Sequence, residues 1–180
     1  MLQRRVCRKP PPTMARLTTL TDVLVHELKD LYSAETQLLK ALPRMARAAS
    51  SPALRDAFEA HLEETRLHVE RLDQAAEFLD ASPRGKSCKA MKGLIEEGGE
   101  AMEEKGTPQL LDIALIIAAQ KVEHYEIAGY GSAAALARQG DHPKVAALLE
   151  ATLEEEDAAD RKLTALAESI FRTKANTTAG

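Results

Sequence analysis

Eight side chains in this sequence sit where an amphipathic helix should turn inward, yet all are acids or imidazoles. Glu35 follows Leu31 by four and precedes Leu38 by three, inside the apolar stripe of its segment. His61, Glu64 and His68 share a column with Ala57 at heptad spacing, on one flank of a second stripe. Glu123 and Glu126 lie between Ala119 and Tyr130, and Glu156 interrupts a fourth stripe, with Asp160 one turn later. Carboxylates crowded in a core repel one another and lose hydration, so they need protons, cationic partners or metal. No lysine or arginine occupies these stripes at the same level. Oxygen-rich surroundings with one or two imidazoles, His61 or His68, suit iron, or alternatively manganese, better than structural zinc.

Ligands on different helices must lie at one depth. Counted from a turn near residue 50, Glu35 and Glu64 are each 14 or 15 residues away, roughly 21 Å along a helix. Counted from a second turn near 140, Glu126 and Glu156 are 14 and 16 residues away. Four segments thus bring an acid to one level, with Glu35, Glu64, Glu126 and Glu156 as the main carboxylate candidates, Glu123 and Asp160 beside them, and His61 as the first imidazole candidate. Single residues of this kind are commonly boundary positions or structural hydrogen-bonders. The registered set across four helices is harder to explain that way.

The elements that would position them are long helices. Leu17, Leu20, Leu24, Leu31, Leu38, Leu42 and Met45 predict a first helix over 18–49, interrupted by Pro43. Ser50, Ser51 and Pro52 predict a capped start for a second, over 52–80, with Leu54, Phe58, Leu62, Leu72 and Leu79 facing inward. Residues 81–106 hold Pro83, Gly85, Gly98, Gly99 and Gly106 around an amphipathic piece at 88–97, which reads as a long crossover with a short helix. Thr107-Pro108 opens a third long helix ending near Gly140, and Asp141-His142-Pro143 opens a fourth. Two short links and one long one predict two antiparallel hairpins, the connectivity of ferritin-like four-helix bundles. A shift of 91 residues superposes the hairpins without a gap, placing Glu35 on Glu126, Pro52 on Pro143, Glu64 on Glu155 and Leu72 on Leu163.

Composition agrees. At 180 residues the chain fits one all-α domain over 17–172, with expected disordered extensions at 1–16 and 173–180, and Met14 is a second candidate start. Aromatics are 3% and tryptophan is absent, as suits packed helices of alanine and leucine. A net charge of −4 argues against nucleic-acid binding by the bundle, and no apolar run is long enough for a membrane span. Cys7 and Cys88 form no metal or disulfide spacing, which suits a cytoplasmic location.

Four segments, Leu31-Tyr32-Ser33-Ala34-Glu35, His61-Leu62-Glu63-Glu64-Thr65, Gln120-Lys121-Val122-Glu123-His124-Tyr125-Glu126-Ile127-Ala128 and Leu153-Glu154-Glu155-Glu156, closely resemble the bacterial YciE/YciF family of stress-associated, ferritin-like proteins. The resemblance covers about residues 17–170. It implies a ferritin-like fold, dimerisation and a rubrerythrin-like metal site. Di-metal proteins of that fold generally carry two Glu-x-x-His pairs, but here Leu67 stands three after Glu64, and Ala158 and Ala159 three after Glu155 and Glu156. The expected function is therefore a dinuclear iron or manganese protein of the stress or peroxide response, two ions per subunit. If it is an enzyme, it is a di-metal oxidoreductase of ferroxidase or peroxidase type. The alternative is a non-enzymatic helical scaffold that has lost the chemistry. Apolar residues beyond the needs of one core, Met91, Leu94, Ile95, Ile113 and Ile117, point to a homodimer.

Overall fold

The computed structural model describes residues 17–177, the last five as backbone; residues 1–16 and 178–180, which hold most of the expected extensions, lie outside the described residues. The elements are α1 (Leu20–Ala48), α2 (Pro52–Phe78), α3 (Lys89–Glu103), α4 (Pro108–Gln139) and α5 (Pro143–Thr177). No helix is long and apolar enough among the described residues to cross a membrane.

Local chemistry sets the helix ends. Thr19 opens α1 with a capping box: its hydroxyl accepts from Asp22 N at 3.0 Å, and the Asp22 carboxylate accepts from Thr19 N at 2.9 Å. The α1 helix continues through Pro43 to Ala48. At the α1–α2 turn the expected serine cap takes another form. Ser51 is the N-cap but its side chain makes no capping bond; Asp112, buried on α4, accepts from Ser50 N at 2.8 Å and Ser51 N at 2.9 Å. At the other end of the bundle it is Asp141, not Gly140, that takes the left-handed backbone, with φ of 60°.

The crossover helix α3 is longer than its sequence pattern indicates, because it runs over Gly98 and Gly99. A Cβ at Gly98 would stand 3.7 Å from Ala118 Cβ, an ordinary contact distance, so α3 lies against α4 here without depending on the missing side chain. Cys88 caps α3, and its backbone is tied to α1 through Ser33 and Gln37, at 2.9 and 3.1 Å.

Hairpins α1–α2 and α4–α5 face each other, with α2 against α5 and α1 against α4, and α3 lies over α4 and α1. This is the all-α, ferritin-like four-helix architecture. The core falls into two apolar clusters. One, around Leu42, Leu54, Phe58, Leu115 and Ile116, fills the end near the α1–α2 turn. The other, around Leu24, Leu72, Ala137, Val145 and Leu149, fills the end near the α4–α5 turn. Each buried leucine contributes about 1.5–3 kcal/mol of transfer free energy, and these two clusters hold the polar layer between them in place.

Candidate metal centre

The layer begins on α2, where His61 and His68 are two turns apart and both buried. Each imidazole has one nitrogen facing inward and one facing out. His61 Nε2 lies 3.5 Å from Glu123 Oε1 and 3.6 Å from Glu156 Oε2, while its Nδ1 lies 3.3 Å from Glu64 Oε2. His68 Nδ1 lies 3.0 Å from Glu156 Oε1 and 3.2 Å from Glu35 Oε1, aligned as a hydrogen bond with neither; its Nε2 is 2.9 Å from Glu155 Oε2. Arg71, one turn beyond His68, clasps Glu155 and also donates to Thr152 at 3.1 Å. Tyr130 donates to Glu35 Oε1 at 2.5 Å.

Two ligand groups emerge, each with one donor atom per residue and all donors within 4.8 Å of one another: His61, Glu123, Glu126 and Glu156, and Glu35, His68 and Glu156. Glu156 belongs to both. Seven buried side-chain polar atoms among the described residues lack a hydrogen bond, and all belong to this layer: Glu35 Oε2, His68 Nδ1, Glu123 Oε2 and both oxygens of Glu126 and Glu156.

The electrostatics follow from burial. Loss of hydration raises Glu35, Glu123 and Glu126 above the usual carboxylate range, and neighbouring acids push Glu123 and Glu126 further. Burial by itself would lower both histidines, but the carboxylates around them prevail: His61 is pushed up to about 9, chiefly by Glu123 and Glu64, and His68 to about 11 by Glu156 and Glu35. Glu156 is held low against its burial by His68 and His61. Arg71 keeps Glu155 low. Without a metal, the layer is neutralised by protons.

Of the seven sequence candidates, Glu35, His61, Glu123, Glu126 and Glu156 are brought together. Glu64 lies at the rim, its side chain 43% exposed, against the outer nitrogen of His61. Asp160 stands apart, accepting from Gln120 Nε2 at 3.1 Å with His124 Nε2 3.7 Å away. His61 and His68 both enter, where the sequence left a choice between them. Of the tyrosines, Tyr130 alone reaches the layer: Tyr32 stacks under Arg84, and Tyr125 turns to Asp30 and Cys88. Sequence reasoning overlooked Arg71, although the 91-residue repeat already marked its partner Glu155 as the counterpart of Glu64.

Residues 19–176 match a protein family described as a domain of unknown function, DUF892. The chain is 51% identical over 160 residues to protein YciF of Escherichia coli K12, covering 88% of this chain and 96% of that protein. The crystal structure of the E. coli stress protein YciF matches with a TM-score of 0.84 at 50% identity, over 87% of this chain and 99% of that one. YcfI from Rhodopseudomonas palustris matches with a TM-score of 0.81 at 41% identity, over 84% and 97%. A two-domain protein from Anabaena variabilis with DJ-1/ThiJ/PfpI-like and ferritin-like domains shares the fold at 17% identity and a TM-score of 0.56, over 88% of this chain and 38% of that one.

Proposed function

This chain belongs to the DUF892 family, and from its buried acid–imidazole layer we propose that the bundle is a holder for two divalent transition-metal ions, iron or alternatively manganese, serving a stress or peroxide response. The observation that carries this reading is a set of seven buried side-chain polar atoms that make no hydrogen bond, all converging on one layer. Buried polar atoms are almost always satisfied, and each failure costs about 1–3 kcal/mol. Apolar residues of similar volume would be cheaper unless something binds.

Charge supports two ions. Glu35, Glu123, Glu126 and Glu156 contribute four negative charges when ionised, which two divalent cations and two neutral imidazoles balance. In this reading Glu35 and His68 hold one position, His61, Glu123 and Glu126 the other, and Glu156 serves both. Glu64 and Glu155 take the outer imidazole protons, which fixes the inward nitrogens as ligands. Tyr130 orients Glu35 and leaves its second oxygen free for the ion. Oxygen-rich sites with few imidazoles favour iron or manganese. Such a pair would supply adjacent redox centres for reaction with oxygen or peroxide, and the apolar clusters cover them from both ends of the bundle. The relative that is called a stress protein supports the physiological part of the reading.

Protein purified without chelator, or reconstituted anaerobically with Fe(II) or Mn(II), should contain about two ions per chain by elemental analysis. Fewer than one equivalent under both conditions would overturn the proposal and leave the scaffold reading.

A further inference from the structure

The two outer carboxylates occupy equivalent places in the repeat but have different surroundings. Glu155 is locked by Arg71 and His68. Glu64 has no partner among the described residues except His61, and it borders an opening of about 100 Å³ between α2 and α5. Small side chains, Ala57, Ala158 and Ala159, form part of its wall, and Glu123, His61, Lys162 and the clasped Glu155 line it as well, so Glu64 is the half-exposed carboxylate on this opening that no arginine holds. Glu123, one of the residues lining the opening, is buried and its Oε2 has no hydrogen bond, so the opening leads to a residue of the metal layer. A space of this size accommodates several waters.

We infer that this opening is the port through which divalent cations reach the layer, and that Glu64 is the exchange ligand that passes them from solvent to His61 and Glu123. The inference rests on the dinuclear reading and makes its two positions unequal. The His61–Glu123–Glu126 position lies behind a half-exposed carboxylate and exchanges with solution. The Glu35–His68 position lies behind the Arg71–Glu155 clasp and the Tyr130 hydrogen bond, and retains its ion.

Stopped-flow mixing of the full-length, chelator-stripped chain with Co²⁺, followed by visible absorption, tests this. The parent should take up two equivalents in a fast and a slow phase. Ala158 is exposed, so Ala158→Leu should fold while filling the mouth. It should slow the fast phase about tenfold or more without changing the final stoichiometry, and Glu64→Gln should slow it severalfold. Ala158→Ser and Glu154→Gln, which change size slightly or charge outside the opening, should load as the parent does. Parent-like loading of folded Ala158→Leu would overturn the port. Should circular dichroism show that variant unfolded, Glu64→Gln decides, and a parent-like rate there overturns the inference. A parent that binds no Co²⁺ would instead overturn the metal reading itself.

Discussion

At the residue scale, Glu126 separates the cost of the layer from its use. Neither of its oxygens has a hydrogen bond, and burial together with Glu35 and Glu156 raises it well above the ordinary carboxylate range. Replacing it by glutamine removes a buried acid but keeps its shape. Glu126→Gln should raise the stability of the metal-free chain by about 1–2 kcal/mol, and should lower the bound metal from about two ions per chain to one or fewer. Urea denaturation of stripped and loaded protein, with elemental analysis, reads both; a lower stability of the stripped variant would contradict the account. The pH dependence has a definite sign. Glu123, Glu126, His61 and His68 all have folded values above their ordinary 4.5 or 6.5. The folded chain therefore binds more protons than the unfolded one across that window, so its stability falls as pH rises. For His61 the contribution is complete below 6.5 and lost as pH passes about 9. Melting temperatures of stripped protein should decline from pH 6 to 9, by the equivalent of a few kcal/mol. Metal uptake at neutral pH should release protons, measurable as buffer-dependent heats.

At the element scale, the α1–α2 turn depends on α4. Asp112 satisfies two backbone N–H groups at the start of α2, where the serine side chain makes no cap. Its removal leaves those donors to water and loosens the hairpin that carries Glu35, His61 and His68. Asp112→Ala should cost about 1.5–3 kcal/mol in a denaturant titration. Because the site lies well away along the helices, a folded Asp112→Ala chain should still load two ions; if the stability loss is absent, the turn is held by other contacts.

At the scale of the whole molecule, some apolar surface has no cover. Ile117 on α4 is 52% exposed and Leu110, two turns earlier on that helix, is 47% exposed. Of the other apolar residues assigned to a dimer contact, Met91 is buried, and Leu94 and Ile95 pack against the core. The remaining patch therefore centres on α4. A two-fold dimer through it should give about twice 19.6 kDa by light scattering at micromolar concentration. Ile117→Glu should shift the population to monomer while keeping the metal content, because the layer lies within one subunit. A monomeric parent would show that this surface stays in water.

Several features were legible in the sequence because they are periodic. Helical stripes with turn residues between them gave the four long helices and the two hairpins, and an acid inside a stripe stood out against leucines one turn either side. That is how Glu35, Glu123, Glu126 and Glu156 could be read directly. The tertiary structure decided what periodicity leaves open, the rotation of each helix about its axis and the direction of each side chain. A rotation of one residue's arc separates Glu64 at the rim from Thr65 in the core, and the two positions differ little in their fit to a stripe. The 91-residue repeat likewise pairs Thr65 with Glu156, so one hairpin places an acid where the other places a hydroxyl bonded to His61 O. Both imidazoles therefore come from α2 and reach acids of α1, α4 and α5 across the bundle. Their pairing is a long-range contact, which no local spacing encodes.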